Sequence, residues 1–271
     1  MPELPEVETT RQGIAPYVTG QKITQVLVRE RRLRWPIPLE LETNFSGQVI
    51  FDVQRRGKYL LFRTGQGTLL MHLGMSGSLR VLRQKIPTQK HDHVDIWLGN
   101  GFCLRFTDPR RFGALLWTSA PPERHPLLCD LGPEPLEADF TADYLYASAR
   151  QRKVSVKSFI MDSRTVVGVG NIYANEALFT AGIHPFRGAG RVSLRRYGGL
   201  VTAVRQVLKA AITQGGTTLR DFVNSEGKTG YFQQSLRVYG RNHQPCLNCG
   251  HIIQSRRVGQ RSTYYCSHCQ R

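Results

Sequence analysis

Two groups of residues near opposite ends of the chain have types and spacing suited to chemistry. The first is Met-Pro-Glu-Leu-Pro-Glu at residues 1–6. A small residue after the initiator Met favours removal of that Met, leaving Pro2 as a secondary amine beside the acid Glu3. A chain-terminal amine titrates near ~7.7–8.0 and a lysine near ~10.4, so at neutral pH the terminus is uncharged on the order of several hundredfold more often. An uncharged amine with an acid next to it is equipped for nucleophilic attack coupled to proton transfer. The same residues also suit the start of a helix. Pro5 tolerates the missing N–H of the first turn, and Glu6 and Glu8 suit the positive end of the helix dipole. Both uses stay open on these six residues alone.

The second group is Cys246-Leu247-Asn248-Cys249 and Cys266-Ser267-His268-Cys269, a C-x2-C-x16-C-x2-C pattern. Each knuckle turns two thiolates to one side, and the pair completes a tetrahedron around zinc. Four thiolates leave no position for water, so the expected cofactor is one structural Zn2+. Residues 252–257 and 260–265 flank Val258-Gly259 as a β-hairpin. From residue 237 to 271 there are six arginines and no acid, and Arg256, Arg257 and Arg261 lie near the hairpin turn. Rigid guanidinium groups there suit phosphate contact or groove insertion; balancing the negative zinc tetrathiolate is the plainer alternative. The isolated Cys103 and Cys129 are expected to be buried and inert.

The elements that position these groups follow from periodicity. Residues 5–15 read as one helix with Val7, Thr10 and Ile14 inward and an end blurred by Pro16. Short apolar runs at 23–28, 49–53, 59–62, 69–72, 94–98, 102–106 and 115–117 alternate with glycine-containing turns, the pattern of a β-sandwich or barrel. Five prolines in 119–140 mark a linker. Helices are expected over 141–150, 155–163, 172–181 and 192–213, with Asn171 capping the third. The polar, Gly-rich stretch 214–235 reads as a loop.

Composition narrows the function. With 37 Lys and Arg against 20 Asp and Glu in 271 residues, the formal charge is +17. Such a balance points to a polyanion as partner. A membrane surface competes, but no stretch reaches the ~18 apolar residues needed to span. The acidic, proline-rich start is unlike a secretory leader, so the expected compartment is a reducing cytosol, where cysteines serve as metal ligands or structural thiols.

In order along the chain stand PELPEVET at 2–9, RRGKYLL at 55–61, HLGMSGSLR at 72–80, KHDHVD at 90–95, TDPRRFG at 107–113, VGVGNIYANE at 167–176, QGGTTLRDF at 214–222 and the cysteine ribbon. On these motifs the chain resembles, from end to end, the formamidopyrimidine-DNA glycosylase family of bacterial repair enzymes. The resemblance implies an α+β fold: an N-terminal β-sandwich with an N-terminal helix (1–132), a helix–two-turn–helix domain (133–235) and a β-hairpin zinc ribbon (236–271). It implies excision of oxidised purines from double-stranded DNA, followed by strand cleavage at the abasic site. A monomer in the bacterial cytoplasm, associated with the nucleoid through DNA, is expected.

The resemblance also implies residue roles. Pro2 is the nucleophile that forms a Schiff base, and Glu3 the general acid–base. Glu6 is a supporting carboxylate, with simple helix-dipole stabilisation as its alternative. Lys58 donates a proton in β-elimination and touches phosphate. Arg261 has the family role of proton donor in δ-elimination, although a guanidinium with a pKa above ~12 favours gripping phosphates instead. Met75, Arg110 and Phe112 fill the hole left by an extruded base, and His72, His91, Arg152, Lys157 and Asn171 hold the DNA backbone. Residues 216–231 are implied to close over the flipped base, with Arg220, Asn224, Ser225 and Lys228 unranked as base readers. Two other readings fit the same composition: an endonuclease VIII-like enzyme for oxidised pyrimidines, against which Leu4 stands, and a non-enzymatic zinc-ribbon binder of damaged DNA.

Overall fold

The computed structural model describes residues 2–83, 86–216 and 235–271. These residues divide into two compact units, 2–129 with 214–216 and 130–213 with 235–271. The loop residues Arg220, Asn224, Ser225 and Lys228 lie outside the described residues.

The first unit opens with helix α1 (Leu4–Val18), which buries Val7, Thr10, Ile14 and Val18 on one face. The helix runs two residues past Pro16, because burial of Ile14 and Val18 outweighs the one hydrogen bond a proline cannot donate. Strand β1 (Ile23–Val28) and a short helix α2 (Leu41–Phe45) follow. Then come β2 (Asp52–Arg56), β3 (Tyr59–Arg63), β4 (Thr68–His72), β5 (Ser78–Leu82), β6 (Asp92–Leu98), β7 (Cys103–Thr107) and β8 (Ala114–Thr118). They form two antiparallel sheets, in the orders β1-β6-β7-β5 and β2-β3-β4-β8. Val26, Val94, Ile96 and Phe106 of one sheet share a core with Val53, Leu60, Phe62, Met71 and Leu115 of the other. The unit is therefore a β-sandwich, with α1 against β2, β3 and β5.

Two sequence expectations change here, and two elements had no sequence signal. The run at 49–53 forms a strand only from Asp52 to Arg56, since Val49 makes a single isolated bridge to Lys22. Helix α2 is five residues long, too short for a periodic signal, and β5 lies hidden within a glycine-rich motif. Cys129 is exposed, whereas Cys103 is buried as expected. Burial and the nearby Asp95 push the Cys103 thiol up to about 12, which keeps it protonated and inert.

The second unit contains α3 (Ala142–Ala149), α4 (Val156–Met161), α5 (Asn171–Thr180) and α6 (Leu194–Thr213). Thr141 and Ser155 cap α3 and α4 by accepting the Tyr144 and Ser158 amides. Helix α6 buries Tyr197, Leu200, Val201, Val204, Leu208 and Ala211, the three- and four-residue spacing of one helix face. A hairpin of β9 (Gln254–Val258) and β10 (Arg261–Tyr265) completes the unit. No helix among the described residues is long and apolar enough to cross a membrane.

Candidate active site and zinc ribbon

Pro2 and Glu3 are buried immediately ahead of α1. Glu3 is the N-cap, and a reciprocal capping box joins it to Glu6. The Glu6 carboxylate accepts the Glu3 amide at 2.8 Å, and the Glu3 carboxylate accepts the Glu6 amide. Both carboxylates are out of solvent, at 3% and 0% exposure. Glu6 thus does more than meet a helix dipole: it fixes the backbone on which Glu3 and Pro2 are hung. Against Glu6 lies Gly216, where a Cβ would stand 3.2 Å from Oε1, so only glycine passes there without displacing the carboxylate.

Glu8, read from the sequence only as a helix-dipole partner, is a further positioning residue of this helix. It accepts hydrogen bonds from Arg11 at 2.7 Å and from Arg55 Nε at 3.1 Å, while Arg55 Nη1 donates to the Gly57 carbonyl at 3.1 Å. Two opposing cations hold its carboxyl below the usual range, against the effect of burial. The chain Glu8–Arg55–Gly57 ties α1 to the β2–β3 turn. That turn has two residues, Gly57 and Lys58, between the paired Arg56 and Tyr59. Gly57 has φ +58° and Lys58 does not, as in a type II′ turn.

His72 ends β4 opposite Tyr59, their rings 4.9 Å apart. Its Nδ1 accepts the Gly74 amide at 2.9 Å, so the ring proton sits on Nε2. Burial, Lys58 and Arg34 lower its pKa to about 4. At neutral pH His72 is therefore an uncharged donor through Nε2. His91 is half-buried beside His93, with no hydrogen-bond partner for its Nδ1 among the described residues.

Met75, Arg110 and Phe112 stand on two loops packed backbone to backbone. Gly74 has φ +67°, and a Cβ there would fall 2.4 Å from the Phe112 carbonyl carbon, so the approach requires glycine. The junction is Asp108, fully buried, which accepts from Ser76 Oγ at 2.9 Å and from the Gly113 amide at 2.8 Å. Its own carbonyl accepts from His93 Nε2 at 2.7 Å. Asp108 is thus the hidden support of both loops. Phe112 is 41% exposed and the Arg110 guanidinium lies 5.0 Å over its ring. An exposed aromatic wedge with a cation stacked on it suits insertion into a base stack.

In the second unit the four cysteine sulfurs come together. Cys246 and Cys269 are 3.9 Å apart, and Cys249 and Cys266 are 3.5 Å apart. The edge of a ZnS4 tetrahedron with ~2.3 Å bonds is about 3.8 Å, so the residues fit one zinc ion. The ribbon's own core is thin: Phe179, Val238, Cys246, Ile253 and Cys266, two of which are zinc ligands.

Helix α5 positions the hairpin. Gly170 is its N-cap and Asn171 its first residue, a correction to the expected capping by Asn171. The Asn171 amide donates to Ser262 O at 3.1 Å, and Asn175 Oδ1 accepts the Tyr264 amide at 2.8 Å. Glu176 accepts the amides of Arg237, Val238 and Tyr239 at 2.9, 3.0 and 2.8 Å. Burial pushes its carboxyl up against the pull of these donors. Lys157, expected to grip DNA, is buried instead. Its Nζ donates to Ser262 O at 2.9 Å and Thr263 Oγ1 at 2.7 Å, so its charge supports the hairpin from beneath. Arg152 and Arg261 are exposed, as phosphate contact requires.

Known sequences match this architecture in the same order. The profile described as formamidopyrimidine-DNA glycosylase N-terminal domain matches residues 1–115, that of the H2TH domain 131–223, and that of the zinc finger found in FPG and IleRS 244–271. The formamidopyrimidine-DNA glycosylase of Methylococcus capsulatus is 61% identical over the full length of both chains. The chain belongs to the formamidopyrimidine-DNA glycosylase family. The homologue from Syntrophotalea carbinolica is 59% identical, again over all of both chains. Among solved structures of the family, MutM of Thermus thermophilus is 39% identical with a TM-score of 0.89, over 99% of this chain and 98% of that one. A Lactococcus lactis FPG mutant in complex with Fapy-dG containing DNA is 32% identical with a TM-score of 0.91, over 99% of each chain.

Proposed function

We propose that the protein is a bifunctional DNA glycosylase and abasic-site lyase of base excision repair, acting on oxidised purines such as 8-oxoguanine and formamidopyrimidines. Full-length membership of the family supports this, as do relatives solved with Fapy-dG DNA, with abasic-site DNA and with carbocyclic 8-oxo-G DNA. The observation that carries it at the residue level is the buried Pro2–Glu3 pair held by the capping box with Glu6.

The chemistry runs on this chain's own groups. The lesion is extruded from the duplex, and Met75, Arg110 and Phe112 occupy the space it leaves. After removal of Met1, the Pro2 nitrogen attacks the anomeric carbon and the base departs with the electron pair of the glycosidic bond. Glu3 transfers protons at the sugar, whose ring opens to an iminium. The iminium acidifies the neighbouring hydrogen, and Lys58 serves the β-elimination that cuts one side of the gap. Release of the second phosphate by δ-elimination cuts the other, with Arg261 gripping the flanking phosphates. His72, His91, Arg152 and Asn171 add backbone contacts, while Lys157 acts through the hairpin. If about six phosphates are neutralised, affinity falls roughly a thousandfold between about 50 and 200 mM salt. The protein works as a monomer in the bacterial cytoplasm, on nucleoid DNA. The domain limits 1–132, 133–235 and 236–271 separate catalysis, duplex binding and the zinc ribbon.

The test is excision from matched duplexes carrying 8-oxoguanine opposite cytosine or thymine glycol. Preference for the purine lesion with cleavage on both sides of the site is the expected result. Preference for thymine glycol would turn the reading to the pyrimidine branch, and binding without excision would leave only a damaged-DNA binder.

A further inference from the structure

The zinc ribbon carries two exposed residues outside the tetrathiolate cluster, His251 and His268. Their rings lie face to face, centroids 4.3 Å apart and planes within 9°, so one ring has to turn about its Cβ–Cγ bond before both in-plane lone pairs meet a single ion. Each belongs to a metal knuckle: His251 follows Cys249 by two residues, and His268 lies between Cys266 and Cys269. Their backbones are fixed by the knuckles, since the His251 carbonyl accepts the Cys246 amide at 2.8 Å and the His268 amide donates to the Cys266 sulfur. One ring nitrogen from each and the Cys249 sulfur lie within 4.8 Å of one another.

We propose that His251, His268 and the Cys249 thiolate form a second site for a borderline divalent cation of the zinc class, sharing Cys249 with the structural zinc. Thiolate and imidazole are the ligands such ions prefer. A zinc tetrathiolate carries roughly two formal negative charges, which offsets the repulsion between neighbouring cations. Cys246 and Cys266 are buried, while Cys249 is partly exposed and both imidazoles are in solvent, so an arriving ion meets the histidines first. Three protein ligands leave a coordination position for water, so this second ion exchanges where the first does not. The pair thereby serves as the entry station from which the ribbon takes up its structural ion.

The experiment uses the zinc-loaded holoprotein equilibrated with excess Zn2+ and assayed for bound metal. About two ions per chain are expected, falling to about one in H251A/H268A. One ion in the wild type, or an equal count in wild type and variant, overturns the site. Co2+ added to zinc-loaded wild type, with the zinc shown to remain bound, then tests the shared sulfur. A new near-ultraviolet thiolate-to-cobalt band, with broadening confined to the His251 and His268 ring resonances, is expected. Broadening without the band removes Cys249 from the site, and broadening of other histidines removes the pair. Because this second measurement is made on the wild-type protein, it decides the matter even if the variant fails to hold its first zinc. For the entry role, zinc uptake by the metal-free protein after chelation should be at least several-fold slower in H251A/H268A, and equal rates would contradict it.

Discussion

Two hairpin turns in this chain have the same backbone design and opposite settings. Gly57-Lys58 joins β2 to β3 and Gly259-Gln260 joins β9 to β10, each with positive φ at the glycine alone. Each places a cation at the turn, Lys58 within it and Arg261 just after it. The first is braced by a sandwich core and by the partly buried Glu8–Arg55 pair, whose side chains are 14% and 10% exposed. The second projects exposed arginines from a ribbon whose small core is completed by metal, with Lys157, Asn171 and Asn175 supporting it from helices. On the roles proposed for Lys58 and Arg261, the contrast separates two tasks. A group that moves a proton at a defined atom needs a rigid, desolvated setting, whereas a group that holds phosphate needs reach and positive charge.

Substitutions at the two places should therefore fail in different ways. Glu3→Gln keeps the size of the capping side chain and removes the acid, so base excision at saturating duplex should drop by about 10²–10⁴-fold with affinity near wild type. A comparable loss of affinity would mean that Glu3 holds DNA rather than moves protons. Removing zinc by chelation or by Cys246→Ser should weaken duplex binding on the order of a hundredfold and leave unfolding of the β-sandwich unit unchanged. Simultaneous melting of both units would contradict the metal's local role. Arg261→Ala should cost about tenfold in affinity and lower the salt slope by about one, with excision at saturation little changed. An unchanged salt slope would take Arg261 off the phosphates.

The smallest effect concerns His72. Its imidazole titrates near 4, below the ordinary 6.5, because burial and the cations Lys58 and Arg34 oppose a third charge. The unfolded chain therefore binds the proton first as pH falls. The contribution of His72 to stability is complete above pH 6.5, shrinks as pH falls from 6.5 toward 4, and is constant below that. Its ring resonances should stay flat from about pH 8 to 5 by NMR. A midpoint near 6.5 would show that the Lys58 turn is looser and wetter than the structure has it.

What was legible in the sequence follows the same division. Local signals survived: the run at 23–28 is β1 to the residue, the four C-terminal helices stand within two residues of their expected limits, and the cysteine spacing fits the zinc geometry. Tertiary roles did not. Asp108, Glu8 and Glu176 read as ordinary acids because their partners lie 5 to 63 residues away, as with Gly113, Arg55 and Tyr239. Lys157 reads as a surface cation until Ser262 and Thr263 are brought over it. Helix α2 escaped because five residues give too little helical periodicity to register, and strand β5 because its first residues lie within the glycine-rich motif at 72–80. Asn171 fell one position from its assigned place because Gly170 adopts the extended capping conformation.

The most direct test of the central claim is to locate the covalent bond. The protein is incubated with an 8-oxoguanine duplex and borohydride, digested, and its DNA-bearing peptide sequenced by mass spectrometry. The sugar remnant should sit on the nitrogen of a peptide beginning at Pro2 with Met1 gone. A remnant on Lys58 or any other lysine, or an adduct-forming protein that still carries Met1, would contradict it.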